Sequence, residues 1–155
     1  MTRMTIVMAL LVLAVASPVS AARTQEFRAE LHDNLVCPGV DLCGKGELRG
    51  FGTARTTLTF TGFGPGPDNC VALTAERQLT LDSDGSTLLL SLEGVLCPQG
   101  NSGGHAPGVG SGTFTIVSGT GQFAGATGFG VLSVQATGKP GLTDTAHYDG
   151  TLTLP

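Results

Sequence analysis

The chain has 155 residues, of which 24 are glycine, 13% are charged and 41% are hydrophobic, and it carries a formal net charge of -4. That much apolar content beside so little charge excludes a disordered chain, which fails to bury enough surface to offset its ordering entropy. An acidic balance with no cluster of Lys or Arg excludes a nucleic-acid partner held through phosphates, and nothing in these totals names a reaction.

The chain opens with Arg3 ahead of an apolar run at residues 6–16, IVMALLVLAVA, followed by Pro18, Val19, Ser20, Ala21 and Ala22. A basic start, a short apolar stretch and a small-residue cleavage site, in that order, predict a secretory signal over residues 1–22, cut after Ala21 or Ala22. The run is well short of the ~20 residues a helix needs to cross a bilayer, so no stable membrane insertion is expected after cleavage. Residues 23–155 then make one domain, secreted or periplasmic, long enough for a core. No cysteine follows the cut to carry a lipid.

From residue 25 onward apolar residues recur at every second position, the repeat of strands that turn alternate side chains toward a core. Phe27, Ala29 and Leu31 begin the pattern. The run from Leu48 to Phe60 continues it, with Gly50, Gly52 and Ala54 on one parity, and residues 62–69, GFGPGPDN, read as a long loop. In the next run the odd positions are Val71, Leu73, Ala75, Arg77, Leu79 and Leu81, while most even ones are polar. Asp84-Gly85 is a hairpin signal that returns the chain as Leu88, Leu90 and Leu92. Residues 98–112, PQGNSGGHAPGVGSG, read as a second long loop, a flexible rim or a lid around His105. Phe114 and Ile116, Leu132 and Val134, then Tyr148, Leu152 and Leu154 complete the series. No apolar helical period is sustained outside the signal, so little helix is expected.

Seven or eight such strands predict an all-β, antiparallel barrel, with a β-sandwich as the alternative. Closure leaves no unpaired edge, and glycines such as Gly50 and Gly52 suit a tight barrel corner. Both points favour the barrel.

All four cysteines fall in the exported part, where thiols oxidise. Cys37 and Cys43 bracket a Pro-Gly turn, while Cys70 and Cys97 sit at the outer ends of two runs that fold back at residues 82–86. This favours the pairs Cys37–Cys43 and Cys70–Cys97. The alternative, a zinc site, lacks CxxC spacing and a neighbouring histidine.

Residues 112–130 read GTFTIVSGTGQFAGATGFG, in which glycines permit tight turns and Phe123 anchors them from the apolar side. This string resembles the GGTGxFxGAxG signature of the allene oxide cyclase and dirigent-like barrels, with Ser118 in place of the first glycine. The paired cysteines, a TxTxTF strand and the closing Gly150 to Leu154 strand are similar to small secreted bacterial members of that superfamily. The resemblance implies an eight-stranded antiparallel, calycin-like barrel. Plant members cyclise a fatty-acid epoxide or steer phenoxy-radical coupling, and none of their pocket residues aligns to a position in this chain.

Arg77 is the one charged residue whose parity lies on an apolar face. It meets a carboxylate, reaches the barrel mouth, follows a bulge that reverses parity, or receives an anionic ligand. Tyr148, the only tyrosine, is expected inside with its hydroxyl hydrogen-bonded, and Arg77 and Tyr148 are the candidate ligand-binding residues. His147 and Asp149 fall on the opposite parity, beside Thr151 and Thr153, on a solvated face where two ligands without a third do not hold zinc. The Gly-x-Gly pairs at 44–46 and 119–121 read as turns, since neither completes a phosphate loop.

There is no GxSxG elbow, and His32, His105 and His147 have no evident nucleophile nearby, so neither a catalytic residue nor a cofactor is expected. The leading expectation is a barrel that binds a small hydrophobic molecule in space left by Gly50, Gly52, Ala54 and Ala75. An isomerase- or cyclase-type enzyme, and a structural or surface-interaction module filled by its own side chains, are the alternatives. A void below roughly 300 Å³ favours the filled module over the other two.

Overall fold

The computed structural model describes residues 21–34, 37–99, 107–137 and 144–155. The period-two pattern gives eight strands: β1 (Arg23–Asn34), β2 (Leu42–Leu48), β3 (Gly52–Pro65), β4 (Val71–Leu81), β5 (Thr87–Pro98), β6 (Gly108–Gly119), β7 (Thr127–Ala136) and β8 (Asp144–Leu154). Each pairs antiparallel with its chain neighbours, and β8 returns to β1 in continuous register from Arg23 opposite Leu154 to Asp33 opposite Asp144. The sheet therefore closes into an eight-stranded barrel rather than splitting into a sandwich. Short 3-10 turns at Pro67–Asn69 and Gly121–Phe123 are the helical elements among the described residues.

Alternation does what the sequence pattern asks of it. On β4, Ala75, Arg77, Leu79 and Leu81 are buried while Thr74, Glu76 and Gln78 face solvent. The barrel has two unlike ends. At one end the connections are the tight segments 49–51, 82–86 and 120–126, and the interior is packed with Phe27, Leu48, Leu81, Leu88, Phe123 and Leu152. Phe51 and Phe123 meet there with ring centroids 4.9 Å apart, which seats the glycine-rich turn as its sequence suggests. The other end carries the connections between β1 and β2, β3 and β4, β5 and β6, and β7 and β8, and both disulfides, Cys37–Cys43 and Cys70–Cys97. Both pairings are the expected ones.

Glycine misleads a periodicity reading in several places. The run from Leu48 to Phe60 is two strands: Gly50, with a φ of +84°, reverses the chain, and Phe51 N–H donates to Leu48 O at 2.9 Å. Gly50 and Gly52 are exposed at that turn and leave no room inside, whereas Ala54 and Ala75 are buried as expected. Residues 62–65 extend β3 past a bulge between Phe60 and Gly62 and still pair with β4, so the first long loop shrinks to 66–70. Gly108 to Gly112 likewise pair with both β5 and β7, leaving 99–107 as the connection. The Gly-Lys-Gly at 44–46 lies inside β2, where a Cβ on either glycine would collide with a β1 carbonyl, that of His32 or Glu30. The signal segment through Ser20 and His105 lie outside the described residues.

One glycine pair shapes the core. Gly130 stands directly opposite Gly150 across β7 and β8, and the Phe114 ring fills the space that side chains would take. A Cβ would come within 2.6 Å of Phe114 Cε1 at residue 130 and 2.9 Å of Phe114 Cζ at residue 150. Phe114 in turn meets Phe27 at 5.4 Å and Tyr148 at 5.5 Å between centroids. Gly130→Ala is expected to lower the unfolding free energy by about 2 kcal/mol through overpacking. Gly64→Ala, where nothing lies within 4 Å of the added carbon, should change it by less than about 0.5 kcal/mol. Urea melts of the two variants provide the comparison.

Candidate functional site

Arg77 points into the barrel from β4, 2% exposed, and its carboxylate is Asp33 of β1, 1% exposed. The pairing is bidentate: Nη1 donates to Asp33 Oδ1 at 3.0 Å and Nη2 to Asp33 Oδ2 at 2.7 Å. Nη1 also donates to Thr56 Oγ1 of β3 at 2.7 Å. Such a fork is the geometry that best offsets the desolvation of two buried charges. Of the options the sequence left for Arg77, a carboxylate partner is the one realised. Asp33 follows Phe27, Ala29 and Leu31 on the inward parity of β1, and Thr56 follows Ala54 on β3, so the same alternation places both inside.

Tyr148, on β8 and 3% exposed, lies beside this cluster with its ring centroid 5.6 Å from Arg77 Cζ. It packs inside as expected, but the expected hydrogen bond is absent: among the described residues neither Tyr148 Oη nor Arg77 Nε finds a partner of adequate geometry. Burial pushes the Tyr148 phenol above its ordinary pKa, with Arg77 opposing it. Burial also works against the Arg77 charge, yet Tyr148, Asp33 and Asp144 outweigh it and hold the guanidinium above its usual value.

These groups form the polar pole of a cavity of about 70 Å³ at the disulfide-bearing end. Its walls are apolar, built from Leu42, Leu58, Phe60, Leu73, Leu92 and Leu132 with their neighbours, and Asp144 and Glu93 complete the acidic side. The volume is well below the roughly 300 Å³ of an ordinary ligand pocket, so no typical ligand is wholly enclosed. Phe60, Leu73, Leu96, Leu132 and Val134, along its wall, are only half-buried. They form an apolar approach to the polar pole.

The remaining candidates stay apart from this cavity. His147 and Asp149 are exposed on the outer face, where His147 Nδ1 lies 3.8 Å from Glu30 Oε2 and Arg28 Nε lies 3.4 Å from Asp149 Oδ2. No three His, Cys, Asp or Glu among the described residues come together to hold a metal ion. Compared with known proteins, the chain matches no family model, no curated protein and no solved structure.

Asp144, like Asp33 and Thr56, is passed over by the sequence reasoning, and only the closure of β8 onto β1 sets it beside Asp33. Burial first, and the neighbouring Asp33 second, push its pKa up to about 6 against the pull of Arg77. The folded state then holds this proton more tightly than the unfolded chain does, so stability falls as pH rises from about 4 to about 6 and is flat above. Asp144→Asn should remove that slope and stabilise the protein at pH 7 by about 1 kcal/mol, discounted for the solvent that reaches a half-buried group; thermal melts from pH 4.5 to 7.5 test this. Asp33→Ala, which strands a buried cation, should cost about 3–5 kcal/mol, and the double replacement Asp33→Leu with Arg77→Met much less. Denaturant titration of the three chains measures the difference.

Proposed function

We propose that the protein is an exported barrel that receives a small, largely apolar molecule at its disulfide-bearing end, one group seated in the cavity and the rest against its apolar approach. The observation that carries this reading is the cavity's composition: apolar walls converge on a few polar groups, two of which, Arg77 and Tyr148, retain unpartnered buried atoms. An eight-stranded barrel is just wide enough either to be filled by side chains or to hold one small ligand. The two disulfides suit an oxidising, extracytoplasmic environment, and the leader read over residues 1–22 supports export.

The small volume favours a second reading, a structural or surface-interaction module whose interior is filled by its own side chains. Against it stands the cost of burying Arg77 and Tyr148 with atoms unpaired, which a core serving stability alone gains nothing from. A cyclase- or isomerase-type activity rests on the run at 118–128 that resembles the allene oxide cyclase and dirigent-like barrels, with Asp144 as the group able to exchange a proton near neutral pH.

Native mass spectrometry of the exported protein should find a small apolar adduct, and the polypeptide mass should correspond to a start at Ala22 or Arg23. Leu132→Trp, which narrows the apolar approach, should reduce occupancy by about tenfold with an unchanged far-ultraviolet spectrum, equivalent to ~1.4 kcal/mol of lost binding. Equal occupancy in the variant, or none in either protein, would remove the support for a ligand cavity.

A further inference from the structure

The chemistry of the ligand's seated group follows from which atoms at the polar pole are still free. Arg77 has both terminal nitrogens engaged, on Asp33 and Thr56, which leaves Nε. Nε is a donor and never an acceptor, so what it lacks is an acceptor, and Tyr148 Oη, which can donate or accept, is able to donate to that same acceptor. Both atoms are buried and unpartnered among the described residues, and both side chains line the cavity. We propose that the ligand is neutral and presents a hydrogen-bond acceptor, a carbonyl or ether oxygen, to Tyr148 Oη and Arg77 Nε. This inference rests on the reading of the cavity as a ligand site.

Charge excludes the obvious rivals. The ionisable groups that line the cavity are Asp33 from β1, Arg77 from β4, Glu93 from β5, and Asp144 and Tyr148 from β8. Three are carboxyl groups and one is a cation already neutralised by a bidentate partner. A carboxylate ligand would therefore enter a site with no net positive charge to receive it, at the full cost of its own desolvation. An ammonium would be drawn toward Asp144 and could donate to Tyr148 Oη, but it has no lone pair for Arg77 Nε, so that donor would stay unpaired beside a second cation. A pure hydrocarbon leaves them unpaired as well, and buried donors without acceptors are costly. A neutral oxygen acceptor satisfies the pole without adding charge.

The test uses the full exported chain and four probes built on one ring: cyclohexanone, cyclohexane, cyclohexylamine and cyclohexanecarboxylate, titrated at pH 7.5 by NMR. Tyr148 is the only tyrosine and the chain has no tryptophan, so the near-ultraviolet tyrosine band of the unaltered protein reports this hydroxyl alone. Cyclohexanone should bind about fivefold or more tighter than the other three, the least expected of one hydrogen bond from the phenol and one from the guanidinium, and should shift that band to the red. Tyr148→Phe should lower the preference for cyclohexanone over cyclohexane by about threefold while leaving cyclohexane itself unchanged, the loss of one hydrogen bond with Arg77 Nε still donating. Equal binding of cyclohexanone and cyclohexane by the unaltered protein would mean that water serves the two donors, and the inference falls while the apolar cavity stands. Tightest binding of the carboxylate or the amine would overturn the charge argument. Failure of all four to bind would remove the ligand cavity and the inference together.

Discussion

The buried pair of Arg77 and Asp33 is the constraint around which the rest of the barrel is arranged. Two charges taken out of water are costly, and apolar residues of similar volume would often leave a core equally or more stable. Here the pair spans from β1 to β4, with Thr56 of β3 beneath the guanidinium, so three strands must hold their register for its hydrogen bonds to close. It also prevents the interior from being apolar throughout. The end that contains the pair has a polar pole and an unfilled volume, and the other end is packed with phenylalanine and leucine.

That division matches the connections. The packed end is closed by tight segments whose own residues take part in the core: Phe51 and Phe123 pack with their rings tilted at 59°, and Ser86 accepts from Gln122 N–H and donates to Asp84, linking two neighbouring turns. At the cavity end the connections carry covalent bonds instead. Cys37–Cys43 closes the β1–β2 connection on itself, and Cys70–Cys97 ties the β3–β4 connection to the end of β5. A disulfide restricts the unfolded chain whatever the local packing.

Much of this was legible in the residues. Alternation alone gave the run from Val71 to Leu81 its two faces and put Arg77 on the inner one, and the placing of the cysteines about two turns gave both bridges. What escaped has a physical reason in each case. Gly62, Gly64, Gly108, Gly110 and Gly112 lie in strands, but without side chains they add nothing to an apolar period, so their segments read as loops. Gly50 has a positive φ, invisible to parity, and it divides one apparent strand into two. Asp33 was within reach of the same alternation that placed Leu31. Asp144 shares the parity of Ala146 and Tyr148 and was equally within reach, but its neighbour Asp33 is brought to it by closure of the barrel rather than by anything nearby in the chain. Tyr148 has its hydroxyl unpaired among the described residues, while Asp33, Thr56 and the terminal nitrogens of Arg77 close by are engaged with one another.

The glycine seat under Phe114 has a consequence beyond packing. Phe27, Phe114 and Tyr148 form a continuous line of rings from the packed end to the edge of the cavity, and the middle ring rests on bare backbone at Gly130 and Gly150. The depth of that seat fixes where the phenol stands. A methyl group added at either glycine would press on the facing backbone, at the carbonyl of Asp149 or of Phe129, as well as on the middle ring, so the support behind the phenol is set by two positions that lie outside the cavity.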